Sequence, residues 1–238
     1  MSKSVKRGYF PEDEREFGSE AVPTLYRAGR DLHYLLNQGY QIKGASQFVG
    51  NHYLLSERQR LALARAISPK QSIESRREKE ITDLSRGVTV NIDGFNTIIT
   101  LEVALSDSTL LKGMDGTIRD LASLRGTYRL IDKTQSAIIL IGRQLEADGV
   151  GKAVFYLDAP VSNSGRLKQQ ILELLDGFHF EVQVEIINNV DSVLETMENV
   201  ITSDAIILDK CQSWYNFNKK VIENHVKDCR YIDFSLLE

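Results

Sequence analysis

Three short β-branched or aromatic runs in this chain each end on an aspartate, and that pattern restricts the fold more than any other feature. Val88-Thr89-Val90-Asn91-Ile92 leads into Asp93, with Gly94, Phe95 and Asn96 following at once. Phe155-Tyr156-Leu157 leads into Asp158, and Val200-Ile201-Thr202-Ser203 leads into Asp204. Apolar runs this short, bounded by turn residues, read as buried strands. Their acids then sit at the carboxyl ends of strands, the rim where open α/β sheets bind ligands. Strands are expected at 88–93, 153–158, 181–187, 199–203 and 229–234. Helices are expected at about 97–105, 117–124, 128–147, 164–176, 190–198 and 212–226. Alternation of this kind implies a mainly parallel sheet covered on both faces, with right-handed crossovers bringing the strand ends to one edge.

The chain before Val88 has a different rhythm. Between Ala21 and Asn37, Leu25, Ala28, Leu32, Leu35 and Leu36 fall at helical spacing, and Gly39 follows as a stop signal. Ile42–Asn51, with its two glycines, reads as a connector or short helix. Ser56-Glu57-Arg58-Gln59 is a capping box ahead of Leu61, Leu63, Ala64 and Ile67. Lys70–Arg86 is dense in charge and is expected to be an exposed linking helix. The fold class is therefore α/β, with residues 1–86 as a small all-α module and 87–238 as the α/β domain.

Charge divides along the same line. Residues 1–87 hold 15 Lys and Arg against 11 Asp and Glu, a net of +4, while residues 88–238 hold 14 against 22, a net of −8. A basic module beside an acidic one suits a nucleic-acid grip next to a metal-binding domain; an ordinary solvated surface accounts for the +4 equally well. No apolar run reaches the ~20 residues of a membrane span. Met1–Gly8 is basic but lacks the apolar stretch of a secretory signal. The two cysteines, Cys211 and Cys229, have no metal-type spacing, so a reduced, cytoplasmic setting is the expectation. The four histidines are scattered, and no Walker-type phosphate loop occurs.

Several acids on one rim repel each other and favour a cation. Mg2+ and Mn2+ prefer hard oxygen ligands, and such ions assist phosphodiester hydrolysis. Asp93, Asp158 and Asp204 are the expected ligands, with Asp191 as a fourth acid or a helix-start residue. Asn96 either supports a carboxylate, water or phosphate, or caps the following helix. After Asp158 come Ala159, Pro160, Val161, Ser162, Asn163, Ser164, Gly165 and Arg166. Asn163 and Ser164, at a helix start, with Arg166 beside them, form a candidate phosphate cradle; an ordinary strand–loop–helix connection is the alternative. Arg119, Arg125 and Arg129 with Tyr128 either contact a nucleic-acid backbone and stack a base or line a solvated helix face. Glu102 reads best as one polar position on an amphipathic helix, with an inward-facing metal-site acid as the other option. Asp93 followed by Gly94 is also a common turn signal, in which the glycine takes positive φ.

On these residues the second half resembles the PIN-like nuclease superfamily, especially its NYN branch and the YacP-type ribonucleases. Those domains open on a strand ending Asp-Gly-Tyr-Asn, for which this chain has Asp93-Gly94-Phe95-Asn96. Phe-Asp-Ala is matched by Leu157-Asp158-Ala159, Ala-Asp more loosely by Val190-Asp191, and Thr-Ser-Asp by Thr202-Ser203-Asp204. The resemblance covers about residues 88–210 in the family's order. It implies a PIN-like sheet and an Mg2+- or Mn2+-dependent ribonuclease, with metal held by Asp93, Asp158, Asp204 and Asp191 and with Asn96 at the catalytic site. The short Asp191–Asp204 interval and the long insertion between the first two acids depart from the pattern. The whole chain is similar to an uncharacterised prokaryotic family in which a short helical domain precedes a PIN-like one. The expected partner is RNA, or else DNA; no membrane association is expected, and a homo-oligomer is compatible with the chain. The rival readings are a non-catalytic RNA- or protein-binding module, and a Toprim-like or other metal-dependent phosphotransfer enzyme.

Overall fold

The computed structural model describes residues 5–122 and 126–237. The helical unit comprises α1 (Asp13–Glu16), α2 (Val22–Asn37), α3 (Ile42–His52), α4 (Glu57–Ala66) and α5 (Lys70–Lys79). In α2 the apolar stripe buries Leu25, Ala28, Leu32 and Leu36, as its spacing requires. The helix ends in a Schellman turn. Gly39 takes φ +84°, its N–H donates to the Leu36 carbonyl, and the Tyr40 N–H donates to the Leu35 carbonyl. The capping box of α4 also forms: the Gln59 N–H donates to Ser56 Oγ, and the Ser56 N–H donates to Gln59 Oε1, each at 3.1 Å.

The remaining elements build two sheets. They are β1 (Glu80–Ile81), β2 (Thr89–Asp93), α6 (Gly94–Leu105), β3 (Leu110–Lys112), β4 (Ile118–Asp120), α7 (Asp132–Ala147), β5 (Lys152–Asp158), α8 (Ser164–Leu175), β6 (Glu181–Ile187), α9 (Val190–Leu194), β7 (Val200–Ile201), α10 (Ala205–Lys210), β8 (Trp214–Tyr215), α11 (Phe217–His225) and β9 (Tyr231–Asp233), before a 3-10 turn at Phe234–Leu237. Six strands form one parallel sheet in the order β1-β8-β7-β2-β5-β6. Strand alternation divides the core. Val90, Ile92, Ala153, Phe155 and Leu157 pack on one face with residues of α6, α7, α8 and α11. Val200 and Trp214 pack with Val190, Leu194, Ile207 and Leu208 in a separate cluster. From β2 the sheet grows toward β5 on one side and β7 on the other, so the strand order reverses at the strand that carries Asp93.

Several expected elements are different. In place of the helix expected at 117–124, whose last two residues lie outside the described ones, Ile118–Asp120 is a strand pairing antiparallel with β3. The cause is the Asp115-Gly116 pair, a hairpin signal: Gly116 takes φ +79°, and Asp115 Oδ1 accepts from both the Thr117 N–H and hydroxyl. α7 starts at Asp132 rather than 128, because the chain before it bridges Thr127 to Ser162. The helix expected at 212–226 is Phe217–His225, since Trp214–Tyr215 join the large sheet. The last expected strand, 229–234, is Tyr231–Asp233 and belongs to the small sheet β4-β3-β9. Lys70–Arg86 is not an exposed linking helix: α5 ends at Lys79, and it buries Ile73 and Arg76.

The small sheet joins the helical unit to the large sheet. Leu111, Met114, Leu121, Ile232, Phe234 and Leu237 complete the core formed by α2, α3, α4 and α5, whereas Leu110 and Ile118 point into the large-sheet core. Glu102 is fully buried in α6, so it is not the polar position of an amphipathic helix that was expected. Arg7 Nε lies 2.8 Å from its carboxylate and the Tyr128 hydroxyl 2.6 Å, with Thr134 Oγ1 as a further donor. It lies away from the strand-end acids.

Gly94 opens α6 without positive φ, so the turn reading does not explain it. A Cβ there would lie 2.6 Å from Leu157 Cδ2 and 3.0 Å from the Tyr156 carbonyl oxygen. The glycine lets α6 start against β5. Gly94→Ala should therefore destabilise the protein by about 1–3 kcal/mol in urea unfolding. Gly44→Ala, in helix α3 with nothing within 4 Å of the added carbon, should be stabilising by roughly 0.4–1 kcal/mol. Equal effects of the two substitutions would contradict the close-approach account.

Candidate functional site

Parallel register sets the site. Asp93 pairs with Tyr156, which places Asp158 two residues further out on β5. Ile201 pairs with Ile92, so Thr202 lies level with Asp93 and Asp204 two residues beyond. Asp191 enters from the first turn of α9. Asp93, Asp158, Asp191 and Asp204 all line one cavity of about 720 Å³ together with Asn96. Its other wall is the helical unit, through Leu36, Tyr40, Ile42, Arg65, Ile67 and Arg76.

Side chains stitch the β2 and β7 ends together. Asp93 is the N-cap of α6, accepting the Asn96 N–H at 3.3 Å, and its other oxygen accepts the Thr202 hydroxyl at 2.9 Å. Asn96 Oδ1 accepts the Ser203 N–H at 2.9 Å and the Ser203 hydroxyl at 3.0 Å. Asp204 caps α10, with Oδ1 accepting the Ile206 N–H at 2.8 Å and the Ile207 N–H at 3.3 Å. Asp158 Oδ1 accepts the Val190 N–H at 3.4 Å, which ties the β5 end to α9. Asn96 thus positions the Thr202–Asp204 loop; the cap of its own helix is Asp93.

Burial pushes the Asp93 carboxyl up to about 7, against the pull of the Thr202 hydroxyl and the Asn96 N–H, and the Asp204 and Asp191 carboxylates add to the rise. Asp191, at the cavity's edge, is also raised, by partial burial and then by Asp204 and Asp158. Among the described residues none of the four is paired with a basic side chain. The arginines beside them are engaged elsewhere. Arg76, 2% exposed, holds Asp115 at 2.6 Å and Asp209 at 2.7 Å. Arg119 holds Asp115 through two bonds of 3.0 and 2.6 Å and donates to the Ser203 carbonyl at 2.7 Å. Burial works against ionisation of Asp115, but Arg119 and then Arg76 outweigh it and hold the carboxyl well below the usual range.

The donor set suits a hard divalent cation: four carboxylates with no basic partner among the described residues, lining one cavity. Among the described residues no three Asp, Glu, His or Cys side chains converge to enclose an ion. The fit is therefore to a hydrated ion, held by one or two carboxylates and otherwise through water, as Mg2+ commonly is.

The expected phosphate cradle is not at this cavity. Arg166 is exposed and outside the lining. Asn163, in the left-handed conformation at φ +65°, donates to the Tyr128 carbonyl at 2.6 Å. Ser164 donates to the Asp158 and Val161 carbonyls. Arg129 is exposed and away from the cavity, and Arg125 lies outside the described residues. Arg119 and Tyr128 are buried, the one at the cavity wall in an ion pair with Asp115 and the other outside the cavity on Glu102. Conversely, Arg65, Arg76, Asp120 and Asp209 line the cavity without having been singled out as site residues, and so does Tyr40. The Asp115-Gly116 hairpin signal could have placed Asp120. Nothing local distinguishes Arg76 from its charged neighbours.

Residues 82–220 match a family described as a domain of unknown function, DUF5616, and residues 24–79 match one described as a protein of unknown function, DUF434. The chain belongs to the DUF5616 family. It is 36% identical over 187 residues to an uncharacterised protein, MJ0935, of Methanocaldococcus jannaschii, covering 78% of this chain and 89% of that protein. No solved structure matches with significance. Asp93, Asp158, Asp191 and Asp204 fall in the DUF5616 segment, and Tyr40, Arg65 and Arg76 in the DUF434 segment, so the cavity forms where the two meet.

Asp115→Ala should cost roughly 3–5 kcal/mol in chemical unfolding, because it takes the carboxylate from Arg119 and leaves buried Arg76 with Asp209 alone. A loss under 1 kcal/mol would show that the network carries little of the fold. A second expectation concerns pH in EDTA. The native Asp93 carboxyl binds its proton up to about 7, well above the ordinary aspartate value of 3.8. The native state is therefore the better proton binder between those values, and stability falls as pH rises through that window. Asp93→Asn, which keeps a good N-cap, should gain in melting temperature relative to wild type at pH 8 and gain least near pH 4. A difference independent of pH would contradict the buried-acid assignment.

Proposed function

We propose that this protein is a metal-dependent ribonuclease that hydrolyses phosphodiester bonds at the Asp93, Asp158 and Asp204 rim, with Asp191 in support. One observation carries the reading: acids from three strand ends and a helix start line a single cavity at the point where the strand order reverses. One or two of Asp93, Asp158 and Asp204 would bind Mg2+ or Mn2+ directly and the remainder through water, and the ion would supply charge neutralisation for a phosphodiester. Asn96 and Thr202 hold the Asp93 and Asp204 segments at a fixed separation. The order of Asp93-Gly94-Phe95-Asn96, Leu157-Asp158-Ala159 and Thr202-Ser203-Asp204 supports a PIN-like ancestry for the sheet. Two free cysteines, Cys211 and Cys229, suit the reduced, cytoplasmic setting that belongs to this reading. Among the described residues no helix is long and apolar enough to cross a membrane.

A second reading is favoured by the absence of three converging ligands among the described residues and by the placement of Arg129 and Arg166 away from the cavity. It is a module that binds RNA without cleaving it.

Structured and single-stranded RNA, with matching DNA, distinguishes the two when incubated in Mn2+, Mg2+ and EDTA. Cleavage is expected in either metal and not in EDTA. Asp93→Asn and Asp204→Asn should each lower the rate by about two orders of magnitude or more, and Asp191→Asn by roughly 10–100-fold. Full activity of Asp93→Asn, with unchanged circular dichroism, would remove the assignment. Metal-independent RNA binding without cleavage would establish the second reading.

A further inference from the structure

Two chemically different sets of residues line the cavity. One is the acids Asp93, Asp158, Asp191 and Asp204. The other, from the helical unit, includes Leu36, Tyr40, Gln41, Ile42, Ile67 and Pro69 beside the ion-paired Arg76. Tyr40 is 61% exposed and Ile42 39%, so the corner between α2 and α3 offers an aromatic ring and an aliphatic chain to the cleft. Ile206, 57% exposed, lines the same cavity two residues after Asp204.

This corner is rigid. The two Schellman bonds at Gly39 and Tyr40 fix the backbone of the tyrosine, and Gln41 immediately begins the next helix with extended φ and ψ. Gln41 makes no side-chain cap bond, which leaves its amide available as donor and acceptor at the lip. An exposed aromatic on a fixed backbone, with an amide beside it, has the chemistry of a base platform: a ring face to stack on and hydrogen-bonding groups for the base edge. Bases in a duplex are already stacked and paired, so such a platform serves an unpaired base. A nucleotide has the matching polarity, since its base is flat and apolar and its phosphate needs a cation at the acids.

We propose that the Tyr40–Ile42 corner is a nucleobase subsite, with Tyr40 stacking on an unpaired base whose phosphate lies toward the acidic strand ends. The subsite rests on the phosphodiesterase reading above and gives the helical unit a part in substrate binding. It predicts that single strands bind better than duplexes, and that binding needs a divalent ion to offset the repulsion between phosphate and the aspartates.

The test separates binding from cleavage. Fluorescence anisotropy follows a short labelled oligoadenylate, and the same strand in a duplex, with Ca2+ replacing Mg2+ or Mn2+. Tyr40→Ala should weaken single-strand binding roughly 5- to 150-fold, the range that loss of one base stack gives. Tyr40→Phe should stay near wild type, and Tyr40→Trp should add a fluorescence signal that the oligonucleotide quenches. Tyr40 is exposed, so the variants fold. Tyr40→Ala binding within twofold of wild type, or a duplex bound as tightly as the single strand, overturns the subsite. Should Asp93→Asn abolish cleavage while Tyr40→Ala leaves binding unmoved, the subsite falls and the nuclease reading stands. Tyr40-dependent binding without cleavage by the wild type keeps the subsite and removes the nuclease. Binding of no oligonucleotide removes the subsite.

Discussion

Asp115, buried between Arg76 and Arg119, joins three parts of the chain at the edge of the cleft: helix α5, the β3–β4 hairpin and, through the Arg119 bond to the Ser203 carbonyl, the loop after β7. Removing three charges from water is expensive, and the arrangement holds because each finds an opposite charge and directed hydrogen bonds. Its consequence for the site is positional. Ser203 is bonded to Asn96, and Thr202 to Asp93, so the orientation of the helical unit is connected by a short chain of bonds to the acids on the large sheet. The same network engages two arginines of the cavity wall.

The cleft is negative where the four aspartates line it. Asp93 sits where burial and neighbouring carboxylates both disfavour its charge, and its carboxyl is held near neutrality. A group in that position gains from any cation that enters, and the cost of keeping it without one is offset by the packing around it. Function and stability pull in opposite directions at this residue, as they do in many binding sites built from like charges. The apolar lip formed by Tyr40 and Ile42 faces the same space from a different segment of the chain, so the cleft is assembled from both family-matched regions and belongs to neither alone.

Much of the scaffold was legible from local patterns. The α2 stripe, the Ser56 box and the Gly39 stop each depend on contacts within one turn or helix, and each formed as the residues require. The parallel strands β2 and β5 were legible because largely buried runs have a distinctive composition, and the edge strand β6 because Val182, Val184 and Ile186 alternate with polar residues. The hairpin at Asp115-Gly116 carried a local signal too, but its strands are three residues each, too short for alternation to show. Trp214–Tyr215 is a two-residue strand between β7 and β1 and has no periodicity at all. Arg76 and Glu102 were misplaced for another reason: a charge looks exposed until its partner, 39 residues from Arg76 in one case and 95 from Glu102 in the other, is known.

By itself the sequence determined the α/β class, the order of the main strands and the placing of Asp93, Asp158 and Asp204 at or just beyond strand ends. Those follow from side-chain periodicity and from turn residues, which act over a few positions. Tertiary structure decided which acids share a cavity, that Asn163 and Ser164 bond backbone carbonyls while Arg166 lies outside the lining, and that Tyr40 lines the same cavity as the acids. Each of these depends on strand register and on how the helical unit docks through a buried ion network, and pairings so distant along the chain leave no periodic trace in it.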